Sequence, residues 1–161
     1  MKSEQTGSTV VVGLIDPSDP EARQCVNAYL DELNTRFESG FDPKRSISAE
    51  DDELREPAGL LMLAWLHDRP IGCGALKFHG DGVADLKRMW VADAARGRGV
   101  GRRLLAELET AAAARGVRTL RLETNGTLVE AINLYRSTGY VEVPAFSDEP
   151  YAHHWFEKQL G

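Results

Sequence analysis

The sequence predicts a single α/β (α+β) domain built on a mixed, mostly antiparallel central sheet with helices on its faces. Three observations carry this. The apolar runs 59–66, 71–78 and 83–91 follow one another across turns of a few residues, which is the pattern of an antiparallel meander. Beyond Gly99 the apolar period changes from strand-like to helical. The run 117–124 then follows that helix, and a strand–helix–strand crossover sets it parallel to residues 83–91 in the same sheet. A chain of 161 residues has the size of one domain, and 1–161 is read as one unit.

The elements follow in order. Residues 9–15 (TVVVGLI) form a β-branched opening strand stopped by Asp16 and Pro17. Ser18 or Asp19 caps a helix with Pro20 in its first turn. In that helix Val26, Tyr29, Leu30, Leu33 and Phe37 predict a core face, with Asp31, Glu32 and Arg36 on the opposite, solvated side. Residues 38–57 are polar and aperiodic, contain the acidic cluster Glu50, Asp51, Asp52 and Glu53, and predict a mobile connection, with room for a short second helix. Turns at 67–70 and 80–82 join the meander. Gly101, Leu104, Leu105, Leu108, Ala111 and Ala112 make a helical stripe ending at Gly116. Leu128, Ala131, Ile132 and Tyr135 make a second stripe ending at Gly139, and residues 140–143 and 151–160 predict two closing strands.

Composition excludes several function classes. At 42% hydrophobic and 27% charged the chain has the make-up of an ordinary globule. Its longest apolar stretch, 58–66, is far short of the roughly 20 residues that cross a bilayer, so neither a span nor a membrane partner is expected. Lys2 and Glu4 precede the run 10–15 with no cleavage pattern after it, which reads as no signal peptide. Cys25 and Cys73 have no CxxC spacing and predict reduced, buried thiols in a cytoplasmic protein. His153 and His154 are neighbours on a predicted strand and point to opposite faces, so no metal site is expected. One of them, with Tyr151, Trp155 or Phe146, is a candidate for the wall of a substrate pocket.

The net charge of −6 is unevenly spread. Residues 1–60 hold 13 acids and 6 bases, whereas residues 83–121 hold 4 acids and 9 bases. The basic block centres on Arg96-Gly97-Arg98-Gly99-Val100-Gly101, between a strand and a helix. Glycines there bring the backbone close to a ligand and leave the first helical N–H groups pointing outward, which is an anion site suited to phosphate. A P-loop is excluded, because no glycine of the loop precedes Lys and Ser or Thr. A dinucleotide fingerprint needs glycine where Arg102 stands, although Glu123 falls at a strand end at the right distance, so a nicotinamide-dependent enzyme stays as a rival.

The pattern Q/R-x-x-G-x-G/A is met by Arg96, Gly99 and Gly101. This loop resembles the acetyl-coenzyme A pyrophosphate loop of the GNAT N-acetyltransferase superfamily. Residues 85–91 (DLKRMWV) resemble the strand before that loop, and residues 131–140 (AINLYRSTGY) resemble the family's late A-x-N-L-Y-x-x-x-G-[FY] segment. Together these motifs cover about residues 83–143.

The resemblance implies a GNAT fold with a parallel, splayed strand pair, and acetyl transfer to a small-molecule or peptide amine. It implies that the main chain of Arg98, Gly99, Val100, Gly101 and Arg102 holds the pyrophosphate, with Arg96 and Arg103 nearby. Met89 and Val91 would offer backbone groups to the pantetheine arm, the Val91 N–H would polarise the thioester carbonyl, and Asn133 would bond the amide chain. Tyr135, which spacing alone places in the core, would protonate the leaving thiolate. Asp85 and Glu123 are the candidate bases for the amine. The coenzyme's phosphates account for the basic block, so nucleic acid is not expected as a partner. The acidic first third is a candidate lure for a cationic acceptor. A homodimer is left open, and a non-catalytic acyl-CoA-binding module is the alternative from another class.

Overall fold

The computed structural model describes residues 9–47 and 49–161; the leader reading at Lys2 and Glu4 lies outside them. The chain runs β1 (Val10–Leu14), α1 (Pro20–Arg36), β2 (Gly59–Leu66), β3 (Arg69–Phe78), β4 (Val83–Val91), α2 (Val100–Ala114), β5 (Thr119–Thr124), α3 (Val129–Ser137), β6 (Val141–Val143) and β7 (His154–Gln159). The strands form one sheet in the order β1-β2-β3-β4-β5-β7-β6, antiparallel except for β4 with β5. This is the mixed sheet with one parallel pair that the period change predicts.

β2 is apolar on both faces because both are covered. Leu60, Met62 and Ala64 join the core under α2, with Leu104, Leu105 and Leu108, while Leu61, Leu63 and Trp65 pack with Ala22 and Cys25 of α1. The alternation follows from the two-residue side-chain period of a strand. α1 starts where the sequence indicates, with the Asp19 side chain accepting from the Glu21 N–H and Pro20 at its first turn.

Three details depart from expectation. The first hairpin turns in two residues, His67 and Asp68, both with positive φ (52° and 63°), and Pro70 already lies in β3. Residues 38–57 are not merely a connection. They form 3₁₀ turns at Pro43–Arg45 and Asp51–Leu54, and Ala49 and Leu54 are buried in the α1-side core. The last strand begins at His154, three residues later than the apolar pattern suggests.

Candidate active site

The site begins with a break in pairing. β4 and β5 are bonded only over the register pairs Val83–Thr119, Ala84–Leu120 and Asp85–Arg121; from Leu86 onward β4 diverges from β5. On its other edge β4 carries a bulge. Cys73 pairs with Trp90 and Ala75 with Lys87, so Gly74 alone faces both Arg88 and Met89. Arg88 takes up the extra residue with φ 55°, its carbonyl accepting from the Cys73 thiol at 3.1 Å. Gly74 stands opposite it, and a Cβ there would lie 2.6 Å from both Met89 Sδ and Leu108 Cδ1, so those side chains would have to shift.

The bulge sets which way the next amides point. The Ala92 N–H donates to the Ile71 carbonyl at 2.8 Å, and the register pairs Val91 with Gly72. In an antiparallel ladder successive N–H groups alternate, so the Val91 N–H faces away from β3 toward the gap left by β5. It has no acceptor among the described residues.

At the far end of that gap stands the start of α2. Gly97 and Gly99 hold left-handed φ values of 82° and 74°, and a Cβ on either would meet nothing within 4 Å. The glycines therefore serve backbone conformation rather than space. The first bond to the helix runs from the Arg103 N–H to the Gly99 carbonyl, which leaves the N–H groups of Val100, Gly101 and Arg102 without acceptors among the described residues. A ring of unpaired donors at a helix head with open space before it fits a phosphate group.

Two cavities open along the splay and share Tyr29, Leu33, Met89, Leu128, Ala131 and Tyr135. One leads to Val91, Gly97, Gly99, Gly101 and Arg102. The other leads beneath Phe37, Phe41 and Tyr151 to Lys87, Glu123 and Glu149. Tyr135 is 4% exposed, packs on Tyr140 and Phe156, and its hydroxyl has no hydrogen-bond partner among the described residues. Burial, with Tyr29 nearby, pushes its phenol above the usual tyrosine range, so the group stays protonated.

A sequence profile described as the acetyltransferase (GNAT) family matches residues 26–140. The chain belongs to the GNAT acetyltransferase family. An IAA acetyltransferase of Azospirillum brasilense is 40% identical over 90 residues, covering 55% of this chain and 59% of that protein. An uncharacterised N-acetyltransferase of Schizosaccharomyces pombe is 32% identical over 112 residues, covering 64% and 66%. The chain thus spans 59% and 66% of the lengths of these curated relatives. Among solved structures, a Klebsiella pneumoniae protein provisionally assigned as an acyl-CoA N-acyltransferase superposes with TM-score 0.77 at 28% identity, covering 96% of this chain and all of that one. A Staphylococcus aureus acetyltransferase of the GNAT family shares the fold, with TM-score 0.77 at 16% identity over 94% of this chain and 100% of that one.

In this GNAT chain Met89, Val91, Arg96, Gly99, Val100, Gly101, Arg102 and Tyr135 meet around one cavity, and Glu123 lies in the adjoining one. Arg98 and Asn133 are exposed and line neither. Arg103 turns outward to Glu107 and the Val10 carbonyl, each at 3.1 Å. Asp85 is a correction to the sequence reading. It lines neither cavity, and both its oxygens are taken, by Arg121 Nε at 2.7 Å and His79 Nε2 at 2.8 Å, so it is not placed to draw a proton from a substrate. Of the acidic cluster, Asp51 pairs with Arg23 and Arg88, Asp52 with Arg55 and Glu53 with Lys77, and none of its four residues lines either cavity. Of the candidate wall residues, Tyr151 lines the second cavity; Trp155 bonds Ser147, and Phe146 lies under Arg121.

Sequence reasoning missed an ion network over the first cavity. Arg96 donates to both oxygens of Glu32 at 2.9 Å, and Arg36 donates to Glu130 at 2.7 and 3.2 Å. The Arg36 guanidinium holds the Glu130 carboxyl below its usual range. Glu32 and Arg36, assigned by periodicity to the solvated face of α1, therefore close one side of the groove. The Lys87–Glu123 pair, 3.3 Å apart and largely buried, was legible only as one member of the basic block and one strand-end acid.

Proposed function

We propose that the protein transfers an acetyl group from acetyl-CoA to a primary amine of a small molecule or peptide, by direct attack of the amine on the thioester. The observation that carries this reading is the junction of two cavities at Met89 and Tyr135, beside a Val91 N–H that nothing in the sheet uses. Acetyl-CoA supplies an activated acyl carbon and a thiolate leaving group. The amides of residues 98–102 hold its pyrophosphate, with Arg96 adding positive charge at the loop; Arg103 and Asn133 join only by turning in from the outward positions they hold here. The Val91 N–H donates to the carbonyl oxygen as charge develops on it. As nitrogen bonds to the acyl carbon and the carbon–sulfur bond breaks, Tyr135 gives its proton to sulfur. Glu123, beside Lys87 at 3.3 Å, takes the proton lost by the amine, directly or through water. The protein is read as cytoplasmic.

The test is thiol release from acetyl-CoA across a panel of amines. Cys25 and Cys73 do not contribute to the signal, since both are buried and burial pushes Cys25 up to about 11. Tyr135→Phe is expected to lower kcat by about 10²-fold or more while coenzyme A affinity is kept. Undiminished turnover in that variant removes Tyr135 from the mechanism. Coenzyme A binding with no thiol release on any amine would make the chain a binding module, and binding of NAD(P)H but not coenzyme A would refute the reading.

A further inference from the structure

We infer that the acceptor is a hydrophobic or aromatic primary monoamine, not a polycation; this rests on the acetyl-transfer reading above. The wall of the second cavity is aromatic and aliphatic. Phe37, Phe41 and Tyr151 form one cluster, with ring centroids 4.8 to 5.7 Å apart, and Val26, Leu30 and Leu122 continue it toward the sheet. The cluster is held in place before any substrate arrives. The Tyr151 hydroxyl accepts from the Asp42 N–H at 2.9 Å, and the Tyr151 carbonyl accepts from Asn125 Nδ2 at 2.7 Å.

The charges of the cavity decide against a polycation. Its described lining has two carboxylates, Glu123 and Glu149, and two cations, Lys87 and Arg88. Glu149 is consumed by structure: Oε1 accepts from the Ser46 hydroxyl and the Ile47 N–H, and Oε2 from the Tyr151 N–H. Glu123 uses Oε1 for Lys87, which leaves Oε2 without a partner among the described residues. That is one acceptor oxygen for one amine. A second ammonium group on the same substrate would meet apolar surface or Lys87 and would lose its hydration uncompensated. The acidic cluster at residues 50–53 offers no substitute, because none of its four carboxylates lines the cavity.

The experiment compares 2-phenylethylamine, n-hexylamine and spermidine as acceptors at saturating acetyl-CoA, following thiol release. The expected result is a kcat/KM for 2-phenylethylamine at least about tenfold above that for spermidine. Phe41→Ala is expected to raise the KM for 2-phenylethylamine about three- to tenfold, the worth of an aromatic pair, with coenzyme A affinity unchanged by calorimetry. A kcat/KM for spermidine equal to or above that of 2-phenylethylamine overturns the inference while leaving acetyl transfer intact. If no amine releases thiol, acetyl transfer is what fails, and calorimetry of the same amines on the protein with coenzyme A decides the cavity. Binding of 2-phenylethylamine that Phe41→Ala weakens supports the assignment; no binding, or tighter binding of spermidine, overturns it.

Discussion

Replacing Val91 by proline isolates one hydrogen-bond donor. Proline in a strand ordinarily breaks a ladder bond, but the ladder bonds here belong to Trp90 and Ala92, on either side of Val91. The Val91 N–H points into the splay, where β5 has already left, so V91P deletes that donor and no bond of the sheet. The side chain lost at the same time is partly buried and close enough to α2 that a Cβ on Gly101 would lie 3.6 Å from Val91 Cγ2. V91A is the matched control for that loss. A single oxyanion donor is typically worth about 10² to 10³ in rate, or roughly 2.7 to 4 kcal/mol. The added backbone cost of proline, with no bond broken, is about 1 kcal/mol, which lowers the melting temperature by about 2 to 4 °C. Thiol release at saturating acetyl-CoA and amine is therefore expected to fall at least a hundredfold from V91A to V91P, with both proteins folded at the assay temperature. If V91P turns over within about threefold of V91A, the Val91 N–H does not stabilise the reacting carbonyl, and the geometric reading of the bulge is wrong about function.

Glu123→Gln is expected to lower kcat/KM about 10²-fold near neutral pH and to recover as pH approaches the amine's own pKa, where no base is needed; a pH-independent loss would speak against Glu123 as the base. Gly59→Ala places a Cβ 2.1 Å from the Glu53 carbonyl oxygen and 2.3 Å from that of Leu76, both main chain, so the strand or the 51–54 turn has to move. A cost of about 3 kcal/mol or more follows, read as a melting temperature lower by about 6 °C or more. Burial raises the phenols of Tyr29, Tyr135 and Tyr140 above their ordinary value of 10.0. Because the folded values are the higher ones, stability is whole below pH 10 and falls as pH climbs past it, the unfolded chain shedding protons the native one keeps. Phenolate absorbance of these three is expected to appear together with unfolding in an alkaline titration, and a separate earlier step for any of them would refute the burial argument.

Much of the fold is legible in local pattern. The apolar runs of β2, β3 and β4 with their short turns dictate the meander, and the change of period after Gly99 dictates the crossover that makes β5 parallel. The glycine–arginine loop is legible because an exposed helix head needs those conformations. The bulge is not, since its residues are Arg88 and Met89, neither of which favours a positive φ; its sequence trace is Gly74, on the neighbouring strand, where any side chain would strike Met89. Residues 38–57 read as a connection because their contributions are single residues, Ala49 and Leu54, with no period between them. Asp85 and Glu123 look alike in sequence, each a strand acid. What separates them is a cross-strand Arg121 and His79 on one and a cavity on the other.

The face of α1 shows how function displaces the periodic rule. An amphipathic helix ordinarily sets its largest apolar residues on the core. Here the sheet is touched by small residues, Ala22 and Cys25, while Val26, Tyr29, Leu30 and Phe37 project into the two cavities. The helix thus sits close to the sheet on a narrow strip and spends its bulky side chains on walls for substrate. The same displacement moves Glu32 from solvent to Arg96, where, with Asp93 and Glu130, it compensates that arginine of the glycine loop. A basic block that reads as surplus charge in the sequence is, in the fold, partly neutralised at Arg96. The neutral donors of the helix head are consequently left to define where an anion sits. Any phosphate that recruits the Arg96 guanidinium has to draw it from Glu32.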